Sequence, residues 1–151
     1  MVSNLSEGSL TLHPLRVFHR DLVDIRSGKT VRLSQDSRQV LLILLSGTEC
    51  PLCLDESSTW ERLAERLPDK LRVIGVFVGT TGQDIQAYVR TQKSGFELYS
   101  LPDGDEFART YEKPLKVMLD RWGRVRFAWG PSNSQVGHDA LQREILSALG
   151  V

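Results

Sequence analysis

The chain has 151 residues, 40% of them hydrophobic, which is enough to bury the core of a single domain. Nineteen basic residues balance nineteen acidic ones, so the sequence lacks the excess positive charge that binding to nucleic acid or to an anionic membrane requires. The longest apolar stretch, from Val40 to Leu45, has the length of a buried strand and is much shorter than a membrane span.

The first ten residues are small and polar, with neither the basic start nor the apolar core of a signal peptide. We expect residues 1–15 to form a flexible N-terminal segment and residues 16–151 to form one domain. The protein is then either cytoplasmic or exported with a leader that this chain lacks.

The first half of the chain contains a hairpin, a buried strand and a helix. Leu22–Ile25 and Thr30–Leu33 are predicted to be the strands of an N-terminal β-hairpin, because turn residues separate them. Gln39–Ser46 is an almost continuous apolar run, typical of a central parallel strand that is covered on both faces. Gly47 allows a sharp turn after it, and a helix is predicted over Pro51–Leu67, since proline suits the first turn of a helix.

The second half continues to alternate between strands and helices. Strands are predicted at Leu71–Val78, Phe96–Leu101, Leu115–Leu119 and Val125–Trp129, and helices at Asp84–Gln92, Asp105–Tyr111 and Val136–Leu149. The whole series predicts an α/β fold with a central mixed β-sheet, helices on both faces and an N-terminal β-hairpin.

Two cysteines enclose a Pro-Leu pair at the start of the first predicted helix, as Cys50-Pro51-Leu52-Cys53. A disulfide between them would close a very small loop and stabilise the fold little, so redox chemistry explains the pair better than a structural role. Residues three apart on a helix share a face, which lets a bridge open and close locally. We predict Cys50 as the nucleophile, because the helix N-terminus stabilises a thiolate, and Cys53 as the resolving thiol.

Two other interpretations of the pair remain open. The same spacing forms half of a four-ligand zinc site, but the chain has no third cysteine, and His13, His19 and His138 lie far apart, so we expect no metal. The two cysteines could also be unrelated buried residues.

Four segments match the pattern of one known family. They are Asp24–Leu33, Cys50–Cys53 with Glu56 three residues later, Leu71–Val78 with a helix beginning near Asp84, and Lys113–Val125. With these segments the chain resembles the TlpA/ResA-type thiol:disulfide oxidoreductases, a branch of the thioredoxin-like superfamily related to the AhpC/TSA peroxiredoxins. The resemblance covers about Val17 to Leu149, and the last segment is its most specific part.

The resemblance implies a thioredoxin-like fold in which Pro114 is a cis-proline that faces the dithiol. The backbone of Lys113 would then pair with an extended substrate segment, and Pro51 and Leu52 would complete the substrate-binding surface. The alternative is an ordinary trans-proline before a strand.

Three positions depart from the family pattern. Glu49 stands where an aromatic residue usually precedes the first cysteine, and its carboxylate would tend to raise the pKa of the Cys50 thiol. Ser58 replaces a proline that would kink the helix, and Lys113 is an unusual cation before the proline, which could partly offset Glu49. These changes bear on the redox potential and on the choice of partner.

Charged and aromatic residues near the motif and elsewhere in the chain are further candidates for this site, each with an ordinary structural alternative. Glu49 and Glu56 are candidates for proton transfer or for tuning thiol pKa values, with solvated charges in the first turns of a helix as the alternative. The tryptophans Trp60, Trp122 and Trp129 are expected to pack in the core or on the surface, the histidines to be ordinary surface residues, and Arg109 and Arg121 to have no catalytic role.

The predicted function is a thiol:disulfide oxidoreductase that exchanges disulfides with protein substrates and with a redox partner protein. The alternatives are a peroxiredoxin-like thiol peroxidase and a non-catalytic binding module of the same fold. We expect no cofactor, a monomer, and a preference for an extracytoplasmic location, with membrane tethering through a segment that this chain lacks.

Overall fold

The computed structural model describes residues 20–45, 51–78, 96–101, 114–132 and 134–151, together with Phe18 and Gln86. These residues form seven strands and two long helices. In chain order the elements are β1 (Asp21–Asp24), β2 (Thr30–Arg32), β3 (Gln39–Leu45), α1 (Pro51–Arg66), β4 (Leu71–Val78), β5 (Glu97–Leu101), β6 (Leu115–Leu119), β7 (Val125–Trp129) and α2 (Gln135–Ala148). The bounds of β4, β6 and β7 are those predicted, and the other elements differ from prediction by one residue at one or both ends.

All seven strands belong to one mixed sheet with the order β2-β1-β5-β4-β3-β6-β7. The strands β3, β4 and β5 are parallel, whereas β1 and β6 run antiparallel to the strands beside them. β3 and β4 are buried along almost their whole length, which explains why both read as continuous apolar runs. The predicted α/β class with a mixed sheet and an N-terminal β-hairpin is confirmed.

Both helices pack on the same face of this sheet. Trp60 and Leu63 of α1 and Leu141 and Ile145 of α2 join one buried cluster with side chains of β3 and β4. The strand residues that alternate with these, such as Leu42, point to the opposite face of the sheet and form a second cluster there. The helices predicted at 84–92 and 105–111 lie outside the described residues except for Gln86, which is helical.

The N-terminus of α2 is fixed by a helix cap. Ser134 has extended backbone angles, and its hydroxyl accepts a hydrogen bond of 3.1 Å from the backbone N–H of Gly137. This cap fixes where α2 begins and therefore where the segment between β7 and α2 ends.

The turn between β6 and β7 is organised by one carboxylate. Asp120 Oδ1 accepts from the backbone N–H groups of Trp122 and Arg124, both at 2.9 Å, and Oδ2 accepts from the Arg124 guanidinium at 3.0 Å. Gly123 adopts a φ of +83°, a conformation that favours glycine. Burial raises the pKa of Asp120, but the hydrogen bonds from Arg124 and Trp122 outweigh burial and hold it below the usual value.

We predict that Asp120→Ala lowers the free energy of unfolding by about 2 kcal/mol at neutral pH, because it removes three hydrogen bonds to a charged group. A lowered pKa in the folded state means that this contribution is present at neutral pH and is lost as the pH falls below about 4. Urea unfolding of both proteins across this range should therefore give a difference that shrinks on acidification. Asp139→Ala, which removes an exposed carboxylate, is the control, and an equal pH dependence of the two variants would contradict the prediction.

Candidate active site

The site lies at the end of the sheet where β3 leads toward the cysteines. Leu44 of β3 pairs with Leu115 of β6, so Pro114 lies at the carboxyl end of β3. Cys50, Glu49 and Lys113 fall outside the described residues, as do the side chains of Pro51 and Leu52. Pro114 is buried.

One face of α1 carries the described part of the site. Its buried positions follow the spacing of an amphipathic helix and include Cys53, Glu56, Trp60 and Leu63, all completely buried. Cys53 and Glu56 are three residues apart and therefore lie on the same side of the helix. A carboxylate thus occupies a position in the stripe where an apolar residue is expected.

Glu56 is not a solvated charge, and the alternative of a solvated carboxylate is wrong for this residue. Both of its oxygens lie 2.8 Å from Lys116 Nζ, and Oε2 also accepts from the indole N–H of Trp60 at 2.8 Å. Oε1 accepts in addition from the backbone N–H of Ser132 at 2.8 Å. These donors replace the water that a buried carboxylate loses.

Lys116, the second residue of β6, is also completely buried. Besides Glu56, its ammonium donates to the backbone carbonyls of Pro114 at 3.2 Å and of Gly130 at 2.5 Å. Burial lowers the pKa of Lys116, and the attraction of the Glu56 carboxylate opposes this without cancelling it. The lysine therefore joins α1, the Pro114 end of β6 and the segment after β7 at one charged centre.

His138 does not have the ordinary surface role that was expected. It is 3% exposed, and its ring nitrogens contact Ser132 Oγ at 2.6 Å and Asp55 Oδ2 at 2.8 Å. The expectation failed because His138 lies in the first turn of α2 where that helix meets α1, a contact that local sequence does not reveal.

The tryptophan and arginine candidates that the structure describes are packing residues. Trp60 and Trp129 are buried in the core, whereas Trp122 is 61% exposed. Arg121 and Arg124 stack on its ring at 4.3 and 5.0 Å. This turn follows the far end of β6 from Pro114, so it lies away from the candidate site. Arg109 falls outside the described residues.

Sequence reasoning missed Lys116 and Ser132. A signal for Lys116 was available, since a single cation interrupts the apolar strand Leu115–Leu119 and a charge in a buried strand requires a partner. No comparable signal marked Ser132, because it contributes a backbone N–H and a hydroxyl from an irregular segment.

Within the described ranges, no three histidine, cysteine, aspartate or glutamate side chains form a group that could hold a metal ion. None of the helices in this part of the chain is long and apolar enough to cross a membrane.

We predict that Glu56→Gln and Lys116→Met each lower the free energy of unfolding by about 3–5 kcal/mol, because each leaves the other charge buried without its partner. The double variant should lose less than the sum of the two single losses. Urea unfolding measures all three, and Arg32→Met is the control, since it breaks an exposed ion pair with Asp21 and should cost no more than about 1 kcal/mol. Additive losses would contradict the coupling of the two charges.

The comparisons with known proteins rest on structure, since no protein-family model and no curated protein sequence matches the chain. A protein of Chlorobium tepidum assigned as the thiol:disulfide interchange protein DsbE has a TM-score of 0.72 and 18% identity over 86% of this chain and 92% of that chain. A secreted disulfide oxidoreductase of Mycobacterium tuberculosis, homologous to E. coli DsbE, has a TM-score of 0.70 and 18% identity, covering 87% and 98%.

A third similar structure is the exposed lipoprotein thioredoxin Etrx1 of Streptococcus pneumoniae, with a TM-score of 0.64 and 18% identity over 83% of this chain and 98% of that chain. Identities of this size establish the fold alone. Together with the strand order and the shared face of α1 and α2, they show that the chain has the thioredoxin-like fold.

Proposed function

We propose that the protein is a thiol:disulfide oxidoreductase that acts on protein substrates through Cys50 and Cys53. The observation that carries the proposal is the completely buried Glu56–Lys116 pair, one helical turn from Cys53 on the same face of α1. A buried carboxylate beside a resolving thiol supplies the proton acceptor that this chemistry needs. The similar structures described as disulfide oxidoreductases support the same class of reaction.

In the proposed reaction, the Cys50 thiolate attacks a substrate disulfide, forms a mixed disulfide and releases one substrate thiolate. The Cys53 thiol then gives its proton to the Glu56 carboxylate, and the resulting thiolate attacks Cys50 Sγ. This forms the Cys50–Cys53 disulfide and releases the second substrate thiolate, which takes up a proton. Two electrons pass from the protein to the substrate, and the reverse sequence oxidises a substrate dithiol.

The reaction can also start from the oxidised protein, in which neither cysteine is a free thiol. Cys53 is not a free thiol in the structure, and we propose that Cys50 is its partner. Glu49 would then act next to the nucleophile, where a carboxylate disfavours a thiolate and opposes the effect of the helix N-terminus.

The proposed substrate surface comprises the backbone of Lys113, a cis-Pro114, Pro51 and Leu52. Its support is the hydrogen bond from Lys116 to the Pro114 carbonyl, which ties this stretch of backbone to the charged centre. A substrate segment bound there would lie beside both the dithiol and its proton acceptor.

The proposed partners are protein thiols and disulfides together with a redox partner protein. Of the similar proteins, one is secreted and one is an exposed lipoprotein, which favours an extracytoplasmic location for this protein too. We also propose that residues 1–15 form a flexible segment, that the protein is tethered to a membrane and that it is a monomer.

We predict that Cys50→Ser abolishes the reduction of insulin disulfides, because it removes the nucleophile. Cys53→Ser should instead accumulate a stable mixed disulfide with the substrate, because nothing resolves it. Turbidity of precipitating insulin measures the first outcome, and non-reducing electrophoresis measures the second.

Two results would contradict this function. A wild-type pair that fails to equilibrate with glutathione buffers would indicate a non-catalytic binding module. Rapid, Cys50-dependent consumption of hydrogen peroxide without insulin reduction would indicate a thiol peroxidase.

We predict that Glu56→Gln slows the resolution of a mixed disulfide on Cys50 by about 10²–10⁴-fold, the usual contribution of a general base. The mixed disulfide with thionitrobenzoate is a suitable probe, since its release by Cys53 is followed by absorbance. Glu65→Gln, an exposed carboxylate on the same helix, is the matched control. Equal rates for the two variants would remove Glu56 from the mechanism.

A further inference from the structure

His138 makes a bridge between α2 and α1 that the proposed reaction does not use. Its Nδ1 lies 2.6 Å from Ser132 Oγ and its Nε2 lies 2.8 Å from Asp55 Oδ2. Asp55 is 57% exposed, so an ion pair with it contributes little to stability by itself. The bridge matters through what it holds at its other end, which is Ser132.

Ser132 delivers a backbone N–H to the proposed proton acceptor. This N–H donates to Glu56 Oε1 at 2.8 Å, and Glu56 is the neighbour of Asp55 on α1. Ser132 is therefore bound to two successive residues of α1, directly through its N–H and indirectly through His138. The direction of a backbone N–H is set by the placement of its segment. Because the bridge holds this segment, it affects the distance and angle at which the Ser132 N–H donates to the Glu56 carboxylate.

The hydrogen-bond roles in the bridge are consistent with a fixed arrangement. The Asp55 carboxylate only accepts, so Nε2 of His138 donates to it. The Ser132 hydroxyl both donates and accepts, so its bond to Nδ1 is possible for the neutral and for the protonated ring. The clamp on Ser132 therefore does not depend on the charge of His138.

The segment before Ser132 is held in the same way. The Gly130 carbonyl accepts from Lys116 Nζ at 2.5 Å, so residues 130–132 contact the charged pair at both ends. Lys116 fixes one end of this segment and His138 fixes the other. Loss of the His138 contact would remove the hydrogen bond of the Ser132 hydroxyl and leave the bond from its N–H to Glu56.

We propose that His138 is a positioning residue for the Glu56 carboxylate, acting through Ser132 to keep its N–H aimed at Oε1. This inference rests on the proposed role of Glu56 as proton acceptor for Cys53. A hydrogen bond to the ionised form of a carboxylate favours ionisation, and its loss favours protonation. Weakening the clamp should therefore move the pH midpoint of the Glu56-dependent step upward.

The test compares two substitutions of His138, each of which keeps a different one of the two hydrogen bonds of the ring. Asn places an amide near the position of Nδ1 and can keep the bond to Ser132, whereas Gln reaches the position of Nε2 and keeps only the bond to Asp55. The readout is the rate at which Cys53 resolves the Cys50–thionitrobenzoate mixed disulfide, measured against pH in the full chain. Asp139→Asn, an exposed change on the same helix, is the control.

We expect His138→Gln and Ser132→Ala each to raise the pH midpoint by about one unit, the size of one weakened hydrogen bond to a charged group. The double variant should shift no further, and His138→Asn should restore most of the wild-type midpoint. Urea unfolding is measured for each variant, because a purely structural role would lower stability without moving the midpoint.

The outcomes separate this inference from the proposed function. If Glu56→Gln removes the pH dependence while Ser132→Ala and His138→Gln keep the wild-type midpoint, only the positioning role of His138 is overturned. If Glu56→Gln itself keeps the wild-type rate and midpoint, the role of Glu56 fails and the inference falls with it. Equal shifts for His138→Asn and His138→Gln would also overturn it, since the bond to Ser132 would then not matter.

Discussion

The ion pair between Glu56 and Lys116 is the constraint around which the candidate site is built. Both side chains are completely inside the protein, where separating two such charges from water costs several kcal/mol unless their bonding is nearly complete. The structure meets this demand with the indole of Trp60, the N–H of Ser132 and the carbonyls of Pro114 and Gly130. These groups come from three parts of the chain: α1, the residue before β6 and the segment after β7.

This demand ties together three parts of the candidate site. Glu56 fixes the first half of α1, Lys116 fixes β6 next to Pro114, and Ser132 fixes the segment that leads into α2. A buried ion pair contributes little net stability compared with apolar packing, but it tolerates only one arrangement of its neighbours. Its value here is the placement of a carboxylate on the same side of α1 as Cys53.

The charged groups at the two ends of β6 differ in their surroundings. At the Pro114 end the charges are buried and bonded on all sides, and burial shifts the pKa of Lys116 downward. At the other end Asp120 organises a turn at the surface, where backbone N–H groups and an arginine lower its pKa. The first arrangement is internal to the fold and joins three parts of the chain, whereas the second closes a hairpin at the surface, which is why a charged residue near a strand end is not by itself a functional signal.

The sequence by itself determined the strands, both described helices and the position of Cys53 on α1, because apolar periodicity and turn residues are local signals. It also marked Glu56 as a candidate, through the resemblance to a family that commonly has an acid three residues after the second cysteine, without deciding whether its carboxylate is solvated. Only the tertiary structure decided that Glu56 pairs with Lys116, sixty residues away, and that His138 is buried against α1. Such partners are chosen by strand pairing and helix packing, which bring distant residues together. A cation in a buried strand signals that it needs a partner, but the local pattern does not identify that partner.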